Sequence, residues 1–362
     1  MEKHQFYMQR ALELAIKGRG QVNPNPLVGA VIVKDDVIIG SGYHEKYGGF
    51  HAERNALAAC TQSAEGATLY VTLEPCCHQG KTPPCTEAII ENKINRVVIG
   101  AKDPNPFVSG KGIEILKKHG ITVIIGVEEE ICQEINNIFF HYIKNKTPYV
   151  IMKYAMTVDG KIATYSGKSQ WISGESARAA VHQTRSEVAG IMVGVNTILQ
   201  DDPQLTCRVE GGKNPRRIIC DTHLRTPLSS KIVASARKIP TYLATCSRDQ
   251  KKIKRFEIMG CKILAVSKKG DHLNLQELMK QLGAEEIDSI LLEGGGTLNF
   301  SALKSGIVNK LQVYLAPKIF GGVAAKTPVE GPGVEMPSEA FQFTDRKITI
   351  FGDDICLEYL KR

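Results

Sequence analysis

The sequence lacks the features that mark membrane, secreted and disordered proteins. No long low-complexity run is present, and no apolar run approaches the roughly 20 residues that a membrane-spanning helix needs. The N-terminal stretch "MEKHQFYMQRALELAIKG" is charged throughout and lacks the apolar core of a secretory signal. We therefore expect a cytoplasmic protein that does not bind membranes.

A dense basic block with interleaved aromatic residues, typical of nucleic-acid-binding proteins, is also missing. The chain has 46 Lys and Arg against 38 Asp and Glu, a formal net charge of +8 that is spread along the sequence. Such a mild excess suits a phosphorylated small-molecule substrate. We expect that class of ligand and no nucleic-acid partner.

The length of 362 residues, 43% of them apolar, is enough for two domains with separate cores. Alternating strand and helix patterns run from "LVGAVIVKDDVIIGSGYH" to "ITVIIGV", and the apolar spacing of "ICQEINNIFFHYIKN" predicts a closing helix. The polar, Pro-containing segment at Asn145–Pro148 then interrupts the pattern, which restarts with the strand "YVIMKYAM". We predict two α/β domains, residues 1–146 and 147–362.

Only three of the ten cysteines are clustered, in the stretch "TLEPCCHQGKTPPC". They are Cys76, Cys77 and Cys85. The other seven stand singly in apolar or ordinary contexts and are expected to be small buried hydrophobes. Those seven are Cys60, Cys132, Cys207, Cys220, Cys246, Cys261 and Cys356.

A second feature lies upstream, where His51 and Glu53 begin a predicted helix as His-x-Glu. Zinc deaminases use His-x-Glu followed by Pro-Cys-x-x-Cys, with three metal ligands and a carboxylate that moves protons without binding the metal. Here the spacing between Cys76 and Cys85 is longer. Both cysteines follow a proline. Cys76 lies where a predicted strand ends, and Cys85 lies at the start of a predicted helix that has proline at its first position. We predict His51, Cys76 and Cys85 as zinc ligands and Glu53 as proton carrier.

The cluster also has other interpretations. Cys76, Cys77, His78 and Cys85 could form a closed structural zinc site, but this leaves His-x-Glu unexplained. A nucleic-acid-acting zinc deaminase, such as a tRNA adenosine deaminase, would need the short Cys spacing and a basic, aromatic surface. A zinc-stabilised binding protein without chemistry would have no use for Glu53.

Motifs along the whole chain resemble those of the bifunctional riboflavin-biosynthesis deaminase/reductase family. The segments "NPNPLVGAVIV", "GGFHAE", "TLEPCCHQGKTPPC" and "GAKDPNPFVSGKGI" match its deaminase half, and "MTVDGKIA", "SQWISG", "VGVNTILQDDPQLTCR" and "LLEGGGTLN" match its reductase half. The resemblance implies a cytidine-deaminase-like three-layer domain followed by a dihydrofolate-reductase-like domain. The implied reactions are zinc-dependent deamination of a ribosylated diaminopyrimidinone 5′-phosphate and reduction of its ribosyl group to ribityl with NADPH. We also expect a homo-oligomer.

The same resemblance places individual residues around the ligands. Near the deaminase substrate it implies Asn25, His44 and Lys81. Near the sugar in the reductase it implies Lys153, as proton donor or carbonyl polariser, and Glu293. Further substrate positions are Ser169, Arg185, Leu205 and Arg208, whose arginines suit the 5′-phosphate. The implied cofactor positions are Ala155, Trp171, Thr197, Asp201, Thr222, Gly295, Gly296, Thr297 and Leu298. The last four form a glycine turn before a helix, where backbone can approach a phosphate.

Overall fold

The computed structural model describes residues 2–105 and 108–362, which fall into two compact units, Met1–Lys146 and Thr147–Arg362. Pro106 and Phe107, which belong to the "GAKDPNPFVSGKGI" motif, lie outside the described residues. No helix in the described ranges is long and apolar enough to cross a membrane. Both units are α/β, and the predicted fold class is confirmed.

The N-terminal unit is a five-stranded sheet with helices on its faces. Its elements are α1 Glu2–Ile16, β1 Gly29–Lys34, β2 Val37–Tyr43, α2 Ala52–Ala58, β3 Thr68–Leu73, α3 Cys85–Glu91, β4 Arg96–Ala101, α4 Lys111–Lys118, β5 Thr122–Ile125, α5 Glu129–Glu134 and α6 Asn137–Asn145. The strand order is β2-β1-β3-β4-β5. β1 pairs antiparallel with β2 and β3, while β3, β4 and β5 are parallel.

The hairpin between β1 and β2 turns at two consecutive aspartates. Asp35 and Asp36 adopt φ values of 49° and 65°. Two consecutive left-handed residues match the twist of the flanking strands, and Asp tolerates this conformation better than most residues. The hairpin therefore fixes the register of β2, whose C-terminal end leads towards His44.

The single helix predicted from "ICQEINNIFFHYIKN" is instead two helices, α5 and α6, which meet at Asn136. The buried Asn136 side chain explains the break. Its Oδ1 accepts from the Leu27 N–H at 2.8 Å, and its Nδ2 donates to the Leu27 carbonyl at 2.9 Å. The amide thus fastens the loop that contains Asn25, which apolar periodicity cannot reveal.

The C-terminal unit has a nine-stranded sheet and a short hairpin. Its elements are β6 Tyr149–Thr157, α7 Glu175–Glu187, β7 Gly190–Gly194, α8 Val195–Asp201, β8 Arg216–Cys220, α9 Lys231–Ala234, β9 Thr241–Thr245, α10 Gln250–Ile258, β10 Lys262–Ala265, β11 Lys268–Lys269, β12 His272–Leu273, α11 Leu275–Ala284, β13 Ser289–Leu292, α12 Gly296–Lys304, β14 Val308–Ala316, β15 Phe343–Phe351 and β16 Asp354–Lys361. The strand order is β10-β9-β8-β7-β13-β6-β14-β16-β15. In this order the first seven strands, β10-β9-β8-β7-β13-β6-β14, are parallel to one another, and β16 and β15 add an antiparallel edge. The hairpin is formed by β11 and β12.

Several elements of this unit have weak sequence patterns and were not predicted. α7 buries only Ala177 and Val181, so its apolar face is too narrow to stand out. The edge strand β15 has no fully buried residue and therefore lacks the usual alternation. The parallel strands β7, β8 and β13 are almost continuously buried, and their apolar runs identify them readily.

Candidate functional site

Three potential metal ligands converge at the ends of secondary-structure elements in the N-terminal unit. His51 is the N-cap residue of α2, Cys76 lies in the loop after β3, and Cys85 is the first residue of α3. Pro84 is the N-cap of α3, one position earlier than predicted. The ligand atoms of the three residues lie within 4.8 Å of one another. The structure therefore brings together the predicted trio.

The donor set fits zinc. His51 Nδ1 is 3.4 Å from the Sγ atoms of both Cys76 and Cys85. Tetrahedral zinc with ordinary bond lengths separates its nitrogen and sulfur ligands by about 3.5 Å. Hydrogen bonds from Cys85 and His51 lower the pKa of the Cys76 thiol, despite its burial. Three protein ligands of this kind are typical of a catalytic zinc site with an open position.

Cys77 and His78 do not join this group, which is the one potential metal site found among the described residues. Cys77 is half-buried, and burial raises the pKa of its thiol. His78 instead lines the neighbouring cavity. The arrangement favours the open three-ligand site over the closed four-ligand alternative.

Glu53 lies in the first turn of α2, two residues after His51, and is only 3% exposed. Burial raises the pKa of its carboxyl group. Glu53 lines the cavity beside the three ligands without belonging to the ligand group. A carboxyl group in this position can carry protons between a reacting molecule and water.

The adjacent cavity has a volume of about 330 Å³. All three predicted substrate residues of the deaminase, Asn25, His44 and Lys81, line it. His44 is buried, and its Nδ1 is 2.9 Å from the Phe50 carbonyl oxygen. Because a carbonyl only accepts, Nδ1 carries the proton and Nε2 accepts from Asn25 Nδ2 at 3.1 Å. This leaves the amide oxygen of Asn25 for a ligand. The ammonium of Lys81 lies 3.9 Å from the centre of the Tyr47 ring.

Two carboxyl groups of this cavity were missed by the sequence analysis. Glu74 accepts hydrogen bonds from the backbone N–H groups of Asp103, Gly110 and Ile113, at 3.1–3.4 Å. Asp103 also lines the cavity, and burial raises the pKa of its carboxyl group to about 6. The available signal in the sequence was an acidic residue directly before a proline, in "TLEP" and in "KDPN".

The reductase residues predicted near the sugar form a compact charged group. Glu293 directly follows β13 and accepts from Arg185 Nε and Nη2 at 2.7 Å each. Burial alone would raise the pKa of Glu293, but Arg185 outweighs it and the pKa is lowered. Burial lowers the pKa of the Lys153 ammonium group on β6. The nearby charges of Glu293 and Arg185 affect this pKa in opposite directions. Arg185 therefore contacts Glu293 in this structure, whereas the sequence analysis assigned it to a phosphate.

A cavity of about 370 Å³ lies beside Glu293 and contains most of the predicted cofactor residues. The predicted residues that line it are Ser169, Thr197, Asp201, Thr222, Glu293, Gly295, Gly296, Thr297 and Leu298. The predicted residues outside its lining are Lys153, Ala155, Trp171, Arg185, Leu205 and Arg208. Trp171 is 58% exposed and stacks against the Arg178 guanidinium, whereas Leu205 belongs to the apolar core. Asn196, His223 and Arg225 line the cavity and were not predicted.

The glycine turn fits a phosphate-bearing cofactor. Gly295 is the N-cap of α12, and no side chain of the described residues caps this helix. A Cβ at Gly296 would meet the backbone carbonyl oxygen of Thr327 at 2.9 Å, so glycine is required there. The uncapped N–H groups of a helix N-terminus bind phosphate oxygens.

Comparisons with known proteins agree with both halves. The family described as "Cytidine and deoxycytidylate deaminase zinc-binding region" matches residues 1–101, and "RibD C-terminal domain" matches residues 148–357. The riboflavin biosynthesis protein RibD of Actinobacillus pleuropneumoniae is 52% identical, over 98% of this chain and 94% of its own. The solved structure of Acinetobacter baumannii RibD is 35% identical with a TM-score of 0.90, covering 100% of this chain and 99% of that one.

A second solved structure covers the same share of each chain and has 37% identity and a TM-score of 0.89. It is a diaminohydroxyphosphoribosylaminopyrimidine deaminase/5-amino-6-(5-phosphoribosylamino)uracil reductase from Thermotoga maritima. These matches confirm the family predicted from the motifs. The tRNA adenosine deaminase alternative is not favoured, because the relatives match over the full chain, including the second unit. The chain therefore belongs to the RibD family of bifunctional deaminase/reductases of riboflavin biosynthesis.

Proposed function

We propose that this protein catalyses two successive reactions on one phosphorylated pyrimidine. The first is hydrolytic deamination of 2,5-diamino-6-ribosylamino-4(3H)-pyrimidinone 5′-phosphate, and the second is NADPH-dependent reduction of its ribosyl group to ribityl. One observation carries the proposal. A zinc-type ligand trio with a non-ligating glutamate lies in one unit, and a Lys-Glu-Arg group beside a glycine-turn cavity lies in the other.

In the deaminase unit His51, Cys76 and Cys85 would hold the zinc ion, which when bound supplies Lewis-acid activation of a water molecule. Glu53 would take one proton from water and deliver it to a ring nitrogen, and would then move the second proton, from the hydroxyl group added to the ring carbon, to the amino group that leaves as ammonia. Its burial beside the ligands keeps it within the cavity and away from bulk solvent. The geometry supports general acid–base catalysis by Glu53.

The remaining residues of this cavity suit recognition of a ring rich in amino groups. The hydrogen bonds that fix His44 orient the Asn25 amide and leave its oxygen to accept from the ligand. Lys81 lies on the exposed rim, where its ammonium can reach a carbonyl or phosphate oxygen. We assign Asn25 and His44 to the pyrimidine and Lys81 to an anionic or carbonyl oxygen.

In the reductase unit the proton and the hydride must reach neighbouring atoms of the sugar. Lys153 and Glu293 lie on β6 and at the end of the adjacent β13. NADPH bound along the glycine turn would supply the hydride. Burial lowers the pKa of Lys153, and an ammonium of lowered pKa gives up its proton more readily. We therefore assign proton donation to Lys153. The negative charge of the nearby Glu293 stabilises the ammonium form of Lys153.

The test is incubation of the protein with the diaminopyrimidinone phosphate and zinc, with and without NADPH, followed by mass analysis. We expect ammonia and the deaminated pyrimidine without NADPH, and the ribityl product with it. Release of ammonia from adenosine in tRNA, without turnover of the pyrimidine, would contradict the proposal. The expected homo-oligomer and the cytoplasmic location stay predictions, which light scattering and cell fractionation would check.

A further inference from the structure

The cavity of the C-terminal unit has a basic end that the predicted residues do not explain. His223 and Arg225 line it shortly after the end of β8, whereas Glu293 lines it at the end of β13. β7 lies between these two strands in the sheet. Because neighbouring strands are about 4.8 Å apart, the two ends of the cavity are separated by roughly 10 Å. A ligand that reacts near Glu293 must be extended to reach Arg225.

The turn after β8 is held firmly by the buried Asp221. Its Oδ2 accepts from both the N–H and the hydroxyl of Thr226, each at 2.7 Å. Leu224 is 4% exposed and adopts a φ of 51°, so it anchors the turn in the core. His223 and Arg225, on either side of Leu224, are both exposed. The basic end of the cavity is therefore preorganised.

The arrangement of charges at this turn distinguishes two kinds of nicotinamide cofactor. In dinucleotide sites a carboxylate accepts from the free ribose 2′-hydroxyl, while an arginine accommodates a 2′-phosphate. Asp221 is fully buried, does not line the cavity and cannot serve the first purpose. Arg225 does line it, and its Nη2 donates to Asn196 Oδ1 at 2.9 Å. This bond orients the guanidinium and leaves further N–H groups for a ligand.

Other charged side chains lining the cavity are differently engaged. Burial raises the pKa of the Asp201 carboxyl group, and the nearby charge of Lys326 opposes this effect. The Asp271 carboxylate is 3.5 Å from the Lys268 ammonium. Within the described residues no carboxylate pairs with Arg225. Arg225 is thus a cation in the lining of the cavity that no carboxylate of the described residues neutralises.

We propose that Arg225, oriented by Asn196, binds the 2′-phosphate of NADPH and determines the preference for NADPH over NADH. The inference rests on the proposed reductase function. It assigns to Arg225 a contact that NADH cannot make. Loss of the guanidinium should therefore affect one cofactor and not the other.

The experiment compares the wild type with Arg225→Gln in two measurements. Calorimetry with 2′,5′-ADP and with 5′-AMP reports binding of the 2′-phosphate without any reaction. Steady-state reduction of the deaminated intermediate gives KM for NADPH and for NADH. For Arg225→Gln we expect the Kd of 2′,5′-ADP and the KM of NADPH to rise roughly 10- to 100-fold, as for one lost charge-assisted contact. The kcat and the KM of NADH should remain nearly unchanged.

Two further variants sharpen the comparison. Arg255→Gln removes an exposed arginine of α10 that does not line the cavity, and both measurements should match the wild type. Lys326→Gln removes the other lining cation. If Lys326→Gln weakens the binding of 2′,5′-ADP while Arg225→Gln leaves it unchanged, the inference is wrong.

The outcomes also separate this inference from the proposed function. A wild type that binds 2′,5′-ADP no better than 5′-AMP, yet reduces the intermediate with either cofactor, overturns the role of Arg225 alone. A wild type that consumes neither cofactor with the intermediate contradicts the reductase function. In that case an Arg225-dependent preference for 2′,5′-ADP would still support the assignment of the phosphate site.

Discussion

Replacing Arg185 by Met should destabilise the C-terminal unit and impair reduction together. Arg185 and Glu293 are bound by two 2.7 Å hydrogen bonds, and their side chains are only 15% and 13% exposed. Removing one member of a buried pair leaves the other charge without a partner, which costs about 3–5 kcal/mol. Because both side chains retain some exposure, we expect the lower end, about 3 kcal/mol. For a unit of this size that corresponds to a fall in Tm of about 6–12 °C.

The single tryptophan, Trp171, lies in the C-terminal unit and makes fluorescence a probe of its unfolding. Denaturation of Arg185→Met, Glu293→Gln and the double variant gives a coupling free energy by double-mutant cycle. The double variant should lose less than the sum of the two single losses. Arg255→Met, at an exposed position, serves as the control. Additive losses, or an unchanged Tm for Arg185→Met, would refute the reasoning.

The same variant should change the pH dependence of stability. Arg185 lowers the pKa of Glu293 below its ordinary value, against the effect of burial. The stabilisation is therefore fully present above the ordinary glutamate pKa and is lost as the pH falls through the lower folded pKa. Arg185→Met should lack this component. Reduction by NADPH should fall as well, because Glu293 loses the contact that orients it.

Three further outcomes are expected. Cys77→Ser should keep zinc and ammonia release while Cys76→Ser loses both, as measured by metal analysis; the reverse pattern would disprove the ligand assignment. Glu53→Gln should retain zinc, lose roughly 10²–10⁴-fold in the rate of deamination and still consume NADPH with supplied intermediate. Glu87→Gln, at an exposed position, is the control. Near-normal ammonia release by Glu53→Gln would contradict the role of Glu53. The rate of reduction should decline at an alkaline pH below the ordinary lysine pKa, because burial lowers the pKa of Lys153 and its ammonium form is lost as the pH rises. A pH–rate profile that is unchanged in Lys153→Arg would exclude Lys153 as the titrating group.

The proximity of His51, Cys76 and Cys85 could be predicted because each residue lies where a helix begins or a strand ends. His51 precedes a helix, Cys76 follows a strand, and Cys85 opens a helix. Such junctions are visible in sequence as prolines and changes of period. Asn136 was missed for the opposite reason, since a buried polar residue within an apolar helical pattern gives no periodic signal.

Fewer contacts of the reductase site could be predicted from the sequence, because that site is formed by strand ends that are distant along the chain. Arg185 and Glu293 are 108 positions apart, and nothing local indicates that they pair. An exposed arginine for a phosphate and a buried arginine for a carboxylate look alike in sequence. Only the folded structure decides between them, since it brings Arg185 on α7 within 2.7 Å of the Glu293 carboxylate.

In both units, side chains that take no part in the proposed reactions hold loops that line the cavities. In the N-terminal unit the Glu74 carboxylate gathers three N–H groups of the segment that contains Asp103 and the start of α4. In the C-terminal unit Asp221 closes the turn that presents Arg225. Each buried carboxylate is stabilised by several hydrogen bonds and fixes backbone at a cavity wall. In the N-terminal unit, the motifs "TLEPCCHQGKTPPC" and "GAKDPNPFVSGKGI" extend beyond the zinc ligands because they contain Glu74 and the backbone groups that it holds.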